Sequence, residues 1–181
     1  MPGNLSVRES TAGDLEKIVD YFHTSTNDHL VRMGVDINKL PERNEWLQLL
    51  QEEYDEPMES KKFFFVTWLM DDLPVGHSSI NKIIFGEEAY VHLHMWEAGE
   101  RQKGNGAKFV ALSLPHYFTN FKLKKLYCEP YALNPAPNNT MKKLNFEFIE
   151  QYETTPGYLN FQQQVNKWLL DVEKYKMLFK N

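Results

Sequence analysis

The chain has a single cysteine, Cys128, among its 181 residues. One thiol cannot close an internal disulfide or build a cysteine-based zinc site, so the fold has neither staple and no metal centre is expected. Positive charge is not in excess either. Twenty basic against 25 acidic residues leave a net charge of −5, which argues against a nucleic-acid binder driven by bulk charge. No apolar run approaches the ~20 residues needed to span a bilayer. The first ten residues lack the basic and apolar regions of a signal peptide. Repeats, low-complexity stretches and long linkers are missing as well. The expectation is a cytoplasmic protein that engages neither nucleic acid nor membrane. What is present is 42% hydrophobic and 14% aromatic content, enough for a sizeable core in one domain over 1–181.

Residues 5–9 predict a short strand. Thr11 and Asp14 offer helix-capping side chains ahead of Leu15, Ile18, Val19 and Phe22, which share a helical face. Pro41 and Glu42 open a second helix, where Trp46, Leu49, Leu50 and Tyr54 recur at helical spacing, and Pro57 lies past its end. Three dense apolar runs follow at 63–69, 75–85 and 89–96, separated by turns at 71–74 and around Gly86, and read as an antiparallel meander. A helix to about Phe121 comes next, with Pro115 as a kink or early break. A strand at 125–131, a short helix at 135–144, and strands at 146–152 and 161–170 complete the pattern, with a short amphipathic tail behind them. The expected order is β-α-α-β-β-β-α-β-α-β-β, an α/β fold with a mixed, mostly antiparallel sheet flanked by helices.

Between the third run of the meander and the long helix lies Arg101-Gln102-Lys103-Gly104-Asn105-Gly106. Two glycines in a strand-to-helix loop let main-chain N–H groups approach an anion, and the new helix adds its positive dipole end. A P-loop requires four residues between its glycines, and the dinucleotide fingerprint requires a third glycine where Phe109 stands. An ordinary strand-to-helix connection fits the same six residues.

The Arg-x-x-Gly-x-Gly loop in this element order resembles the pyrophosphate loop of the GNAT N-acetyltransferases, a family that uses acetyl-coenzyme A. The resemblance extends over most of the chain. Val75-Gly76 is similar to the family's turn into its third strand, and Asn134 to the asparagine that opens a later helix. Phe146 stands where the family has Gly-Phe, with Asn145 in place of the glycine. Asparagine is the next best residue in a left-handed helix C-terminus. The resemblance implies a single GNAT-like domain that moves acetyl from acetyl-coenzyme A to an amine by direct attack. The main chain of Met95, Trp96 and Glu97 would pair with the pantetheine arm, and a Met95 or Trp96 N–H would hold the oxyanion. The N–H groups from Gln102, Lys103, Gly104, Asn105, Gly106 and Ala107, with the Arg101 side chain, would hold the pyrophosphate, and Asn134 would line the same cleft.

An amine of pKa near ~10 must lose a proton before or during attack. His92 and His94 lie two apart on one strand and so share a face, and imidazole suits general-base work. They also read as half-buried strand residues bonded to neighbours. Glu97 is the competing base. The family's thiolate-protonating tyrosine falls on Met141, which leaves Tyr131 as a substitute and keeps a non-catalytic acyl-coenzyme A binding or sensing module open. Cys128 reads as a buried small hydrophobe, and His23, His29, His77 and His116 as incidental. Seven acids between Glu42 and Glu59 suggest either a cationic acceptor or a solvated helix face. The family also makes a homodimer an open arrangement.

Overall fold

A computed structural model describes residues 3–101 and 103–179. Strands β1 (Leu5–Glu9), β2 (Phe64–Met70), β3 (Leu73–Ile84), β4 (Glu88–Met95), β5 (Lys125–Cys128), β6 (Glu147–Thr154) and β7 (Gln163–Asp171) form one sheet in the order β1-β2-β3-β4-β5-β7-β6. Helices α1 (Ala12–Thr24), α2 (Asn27–Arg32) and α3 (Arg43–Asp55) intervene between β1 and β2. Helix α4 (Asn105–Asn120) links β4 to β5, α5 (Pro135–Lys143) precedes β6, and α6 (Val172–Phe179) follows β7. The first four strands are antiparallel neighbours, as the meander pattern predicts, and β4 with β5 is the parallel pair that α4 crosses.

The period-two alternation of β2 sorts the two faces. Phe64, Val66 and Trp68 pack with Phe109, Val110, Leu114 and Tyr117 of α4. Phe65 turns to the other face, where α1 contributes Leu15, Ile18, Val19 and Phe22, and α3 contributes Trp46 and Leu50. Helix α1 starts as its capping residues predict, with the Thr11 N–H donating to Asp14 Oδ2 at 2.8 Å. Arg8 Nη2 also reaches Asp14, at 3.1 Å. Burial raises the Asp14 pKa, but the Arg8 and Thr11 bonds outweigh it and hold the carboxyl at about 2.

Several local expectations are corrected. Pro115 does not break α4, which runs on to Asn120. A mid-helix proline costs about 3 kcal/mol, whereas the fully buried Phe109, Val110, Leu114 and Tyr117 each contribute about 1.5–3 kcal/mol. Strand β5 stops at Cys128, short of Tyr131, because Pro130 has no N–H for the ladder. Only an isolated Tyr131–Val165 bridge continues it. On α3, Trp46 and Leu50 are buried while Leu49 and Tyr54 face outward, 59% and 43% exposed. Helix α2 and a 3₁₀ turn at Ile37–Lys39 occupy a region with no predicted element. Cys128 is buried, and burial, with Glu129 beside it, pushes its thiol pKa up, so it is no nucleophile.

Asn145 adopts φ +59, the left-handed conformation anticipated at the end of α5. It is exposed, so only the backbone geometry is at stake. Asn145→Val is expected to lose about 1–2 kcal/mol and to lower the melting temperature by a few degrees, read by thermal denaturation.

Candidate active site

Strands β4 and β5 pair over three positions only, Glu88 with Lys125, Ala89 with Leu126 and Tyr90 with Tyr127. Beyond Tyr90, β4 continues to Met95 while β5 ends at Cys128, so the sheet opens into a wedge. At the end of β4 the N–H groups of Trp96 and Glu97 both reach the Val75 carbonyl, at 2.9 and 3.4 Å. Two successive N–H groups on one carbonyl mark a bulge. This corrects one expectation, because the Trp96 N–H is committed to β3. By strand alternation the Met95 N–H and C=O point to the opposite edge, into the wedge. Consistent with that direction, the Met95 carbonyl accepts from Arg101 Nε at 3.0 Å.

The Arg101 guanidinium is folded back on the strand end. Its Nη2 donates to the Trp96 carbonyl at 3.1 Å, and its Nη1 lies 3.5 Å from His29 Nδ1. Two donors of this side chain hold the bulge carbonyls of Met95 and Trp96. Gln102 lies outside the described residues. Gly104 caps α4 at φ +79 with open space around it, so its glycine is required by backbone conformation. Asn105, Gly106 and Ala107 form the first turn of α4, and their N–H groups are the unsatisfied donors of a helix start. Lys103 immediately precedes this turn.

On the face under α1 and α3, β3 and β4 bring four imidazole and amide groups together. The register sets His77 opposite His94 and Ser79 opposite His92. The His77 and His94 rings stack with centroids 4.8 Å apart. Trp96 Nε1 donates to His77 Nδ1 at 2.8 Å, and His92 Nε2 bonds Asn81 Oδ1 at 2.9 Å. With that oxygen accepting, His92 holds its proton on Nε2 and its lone pair on Nδ1. His94 Nδ1 is buried without a hydrogen-bond partner. Burial drives all three rings toward neutrality. His77 is held at about 3, helped by His92, and His92 at about 4, helped by Lys82. His94 lies well below the ordinary imidazole range. Tyr21 bonds His29 Nε2 at 2.8 Å and packs against His94 with centroids 5.6 Å apart. Its phenol is pushed up to about 12 by burial, against a lowering by Arg101. His77 and His29, expected to be incidental, are therefore in contact with residues of the candidate site.

The remaining candidates have other surroundings. Glu97 is exposed at the start of a 3₁₀ turn. Tyr131 packs edge-on to Phe161. Asn134 caps α5, its Oδ1 accepting from the Ala136 N–H at 3.3 Å. Met141 is fully buried in the core on the α4 side of the sheet. Glu129, a carboxylate missed in the sequence, is buried directly after β5. It accepts from the Tyr152 hydroxyl and lies 3.8 Å from Lys82 and 3.9 Å from Lys167. Among the described residues no group of three or more His, Cys, Asp or Glu is placed to hold a metal ion. None of their helices is long and apolar enough to cross a membrane.

No protein-family model and no curated protein sequence matches the chain. Solved structures do. RimL, a ribosomal-protein α-N-acetyltransferase in complex with coenzyme A, superposes with a TM-score of 0.74 at 14% identity, over 94% of this chain and 95% of that one. Spermidine N-acetyltransferase from Vibrio cholerae, with coenzyme A and spermine, gives 0.75 at 16% over 94% and 97%. Aminoglycoside acetyltransferase AAC(6')-Ib, with coenzyme A, gives 0.71 at 14% over 96% and 98%. The chain has the fold of the GNAT N-acetyltransferases.

Proposed function

We propose that the protein is an acetyl-coenzyme A-dependent N-acetyltransferase acting on an amine, with 1–181 as one acetyltransferase-like domain. The observation that carries this reading is the wedge between β4 and β5, bulged at Trp96 and opening beside the left-handed Gly104 and the start of α4. The neighbours with this fold include proteins solved with coenzyme A. The wedge edge of Met95 would receive the amide-bearing pantetheine arm as an added strand. The N–H groups from Gly104 to Ala107 would hold the pyrophosphate at the helix start, with Lys103 adding positive charge. When bound, the acetyl thioester supplies the acyl carbon and a thiolate of pKa near ~8.5 as leaving group.

The chain's own residues then have defined tasks. The Met95 N–H would stabilise negative charge on the carbonyl oxygen. His92 and His94 are neutral across the physiological range, so both offer lone pairs to an incoming ammonium. Their depressed basicity makes transient hydrogen bonding the main contribution, with the proton passing on to water or Glu97. None of the acids between Glu42 and Glu59 lines the cavity over His92 and His94, whereas Glu53 and Asp55 line a second cavity of about 510 Å³. Glu42, Glu45, Glu52, Asp55, Glu56 and Glu59 are exposed, and Glu53 holds the Lys62 and Phe63 N–H groups.

The fully buried Met141, at the position of the family's tyrosine acid, favours a second reading as a non-catalytic acyl-coenzyme A binding module. Calorimetry with coenzyme A tests both readings, and thiol release in the presence of an amine separates them. Gly104→Val forces a β-branched residue into φ +79, a strain of about 1–2 kcal/mol that predicts roughly tenfold weaker coenzyme A binding. Equal affinity for coenzyme A in the two proteins would remove the loop from the site.

A further inference from the structure

Below α1 and α3, on the same face as His92 and His94, lies a cavity of about 130 Å³. Its apolar wall is largely aromatic, built from Phe22, Trp46 and Leu50 of the helices and from Phe63 and Phe65 at the start of β2. Most of its polar groups lie on the sheet, where Ser79, Asn81, His92 and His94 form the floor, and Tyr158 and Asn160 reach it from the loop between β6 and β7. Among the described residues that line it, none is Asp, Glu, Lys or Arg. A group that stays charged here, unlike an amine that gives up its proton on reaction, would lose its water and find no counter-ion, a transfer that strongly disfavours binding. The histidines cannot serve as counter-ions, because an imidazole is neutral or cationic. Size is equally restrictive, since an apolar cavity of ~150 Å³ accommodates one benzene ring.

One lining atom adds an independent observation. His94 Nδ1 is buried without a hydrogen-bond partner, and an incoming amine is a partner it can take. Buried polar atoms in a well-packed protein are nearly always satisfied, and a ligand is one means of satisfying them.

Resting on the transferase reading, we propose that the acceptor is a primary amine carrying one uncharged, ring-sized apolar group. The amine would sit by His92 and His94 and the apolar group would fill the cavity. An arylalkylamine or a bulky alkylamine fits this description, whereas a polyamine or an aminoglycoside brings further ammonium groups that the cavity cannot pair. The transfer forms one N–C amide bond, breaks one C–S thioester bond, and releases one thiol and the ammonium proton.

The test uses the full chain and runs in a fixed order. Calorimetry with coenzyme A comes first, and no binding there overturns the transferase reading and the acceptor class with it. Given binding, thiol release from acetyl-coenzyme A is compared for phenethylamine, spermidine and kanamycin. The expected kcat/KM for phenethylamine is at least 100-fold above the other two. Equal rates, or a preference for either polycation, overturns the acceptor class and leaves the transferase reading standing. If none of the three releases thiol, phenethylamine is titrated against the coenzyme A complex by calorimetry, and a Kd weaker than 10 mM overturns the inference. Ser79→Leu fills the floor and is expected to raise the phenethylamine KM, or Kd, at least tenfold without altering coenzyme A affinity. Should that variant not fold, Leu50→Phe fills the opposite wall. An unchanged constant in a folded variant places the acceptor elsewhere.

Discussion

Acidification from pH 7 to pH 4 is expected to strip several kcal/mol from the folding stability. The cause is the imidazole cluster of buried His77 with the partly buried His92 and His94. The rings are held neutral in the folded protein, His77 at about 3 and His92 at about 4, whereas unfolded chains protonate them near ~6.5. Below ~6.5 the unfolded state therefore binds more protons than the folded one, and stability falls as pH falls. The loss runs through the window from ~6.5 down to each folded value. For His92 alone, a folded value of about 4 corresponds to about 3 kcal/mol at the bottom of that window. Asp14 adds to the same trend at lower pH, because its folded value of about 2 lies below the ordinary ~3.9. Denaturant titrations at pH 7, 5.5 and 4 read the effect directly. His77→Gln keeps an acceptor for Trp96 Nε1 but removes one titration. It should be less stable at pH 7 and show a shallower decline on acidification. A wild-type curve that stays flat over this range would rule out the neutral cluster.

The second large effect belongs to Gly76. A Cβ there would lie 2.6 Å from the His94 carbonyl oxygen, 3.0 Å from the Trp68 ring and 3.2 Å from Met95 Cα. Two of these are backbone atoms of β4, so relief requires the strand end itself to move. Trp68 offers no easy retreat, because its ring stacks on Phe109 of α4 with centroids 5.1 Å apart. Gly→Ala at an unstrained site typically stabilises by about 0.4–1 kcal/mol. Here Gly76→Ala is expected to destabilise by about 2–3 kcal/mol and to displace the bulge at Trp96. The checks are a thermal melt and a coenzyme A titration. A melting temperature equal to or above the wild type would refute the close approach of β3 to β4.

Much of this molecule is legible in its residues. Alternation in the dense run at 63–69 and the turn at Gly86 give the meander, and Asn145 announces its left-handed conformation. The glycine loop announces a helix start. Pro115 misleads because proline's local effect is smaller than the burial of the helix around it. The roles of His77 and His29 are hard to read because their partners are distant in sequence. His77 had a readable signal, since a hairpin turning at Gly86 lays residues 77, 79 and 81 across from 94, 92 and 90. His29 had none, because α2 has no clear periodicity and its contact with Arg101 depends on tertiary packing. Glu129 hides for the same reason, as its partners Lys82, Tyr152 and Lys167 come from three other strands.

The three-position pairing of β4 with β5 has a mechanical side. The sheet is two panels, β1 to β4 and β5 to β7, joined along a seam only three residues long. Each panel is laced by longer antiparallel ladders, so breathing should concentrate at the seam. Whatever fills the wedge also acts as a clasp. Amide exchange on the inner edges of both panels would then slow in concert on ligation, although the ligand touches each panel on one edge alone.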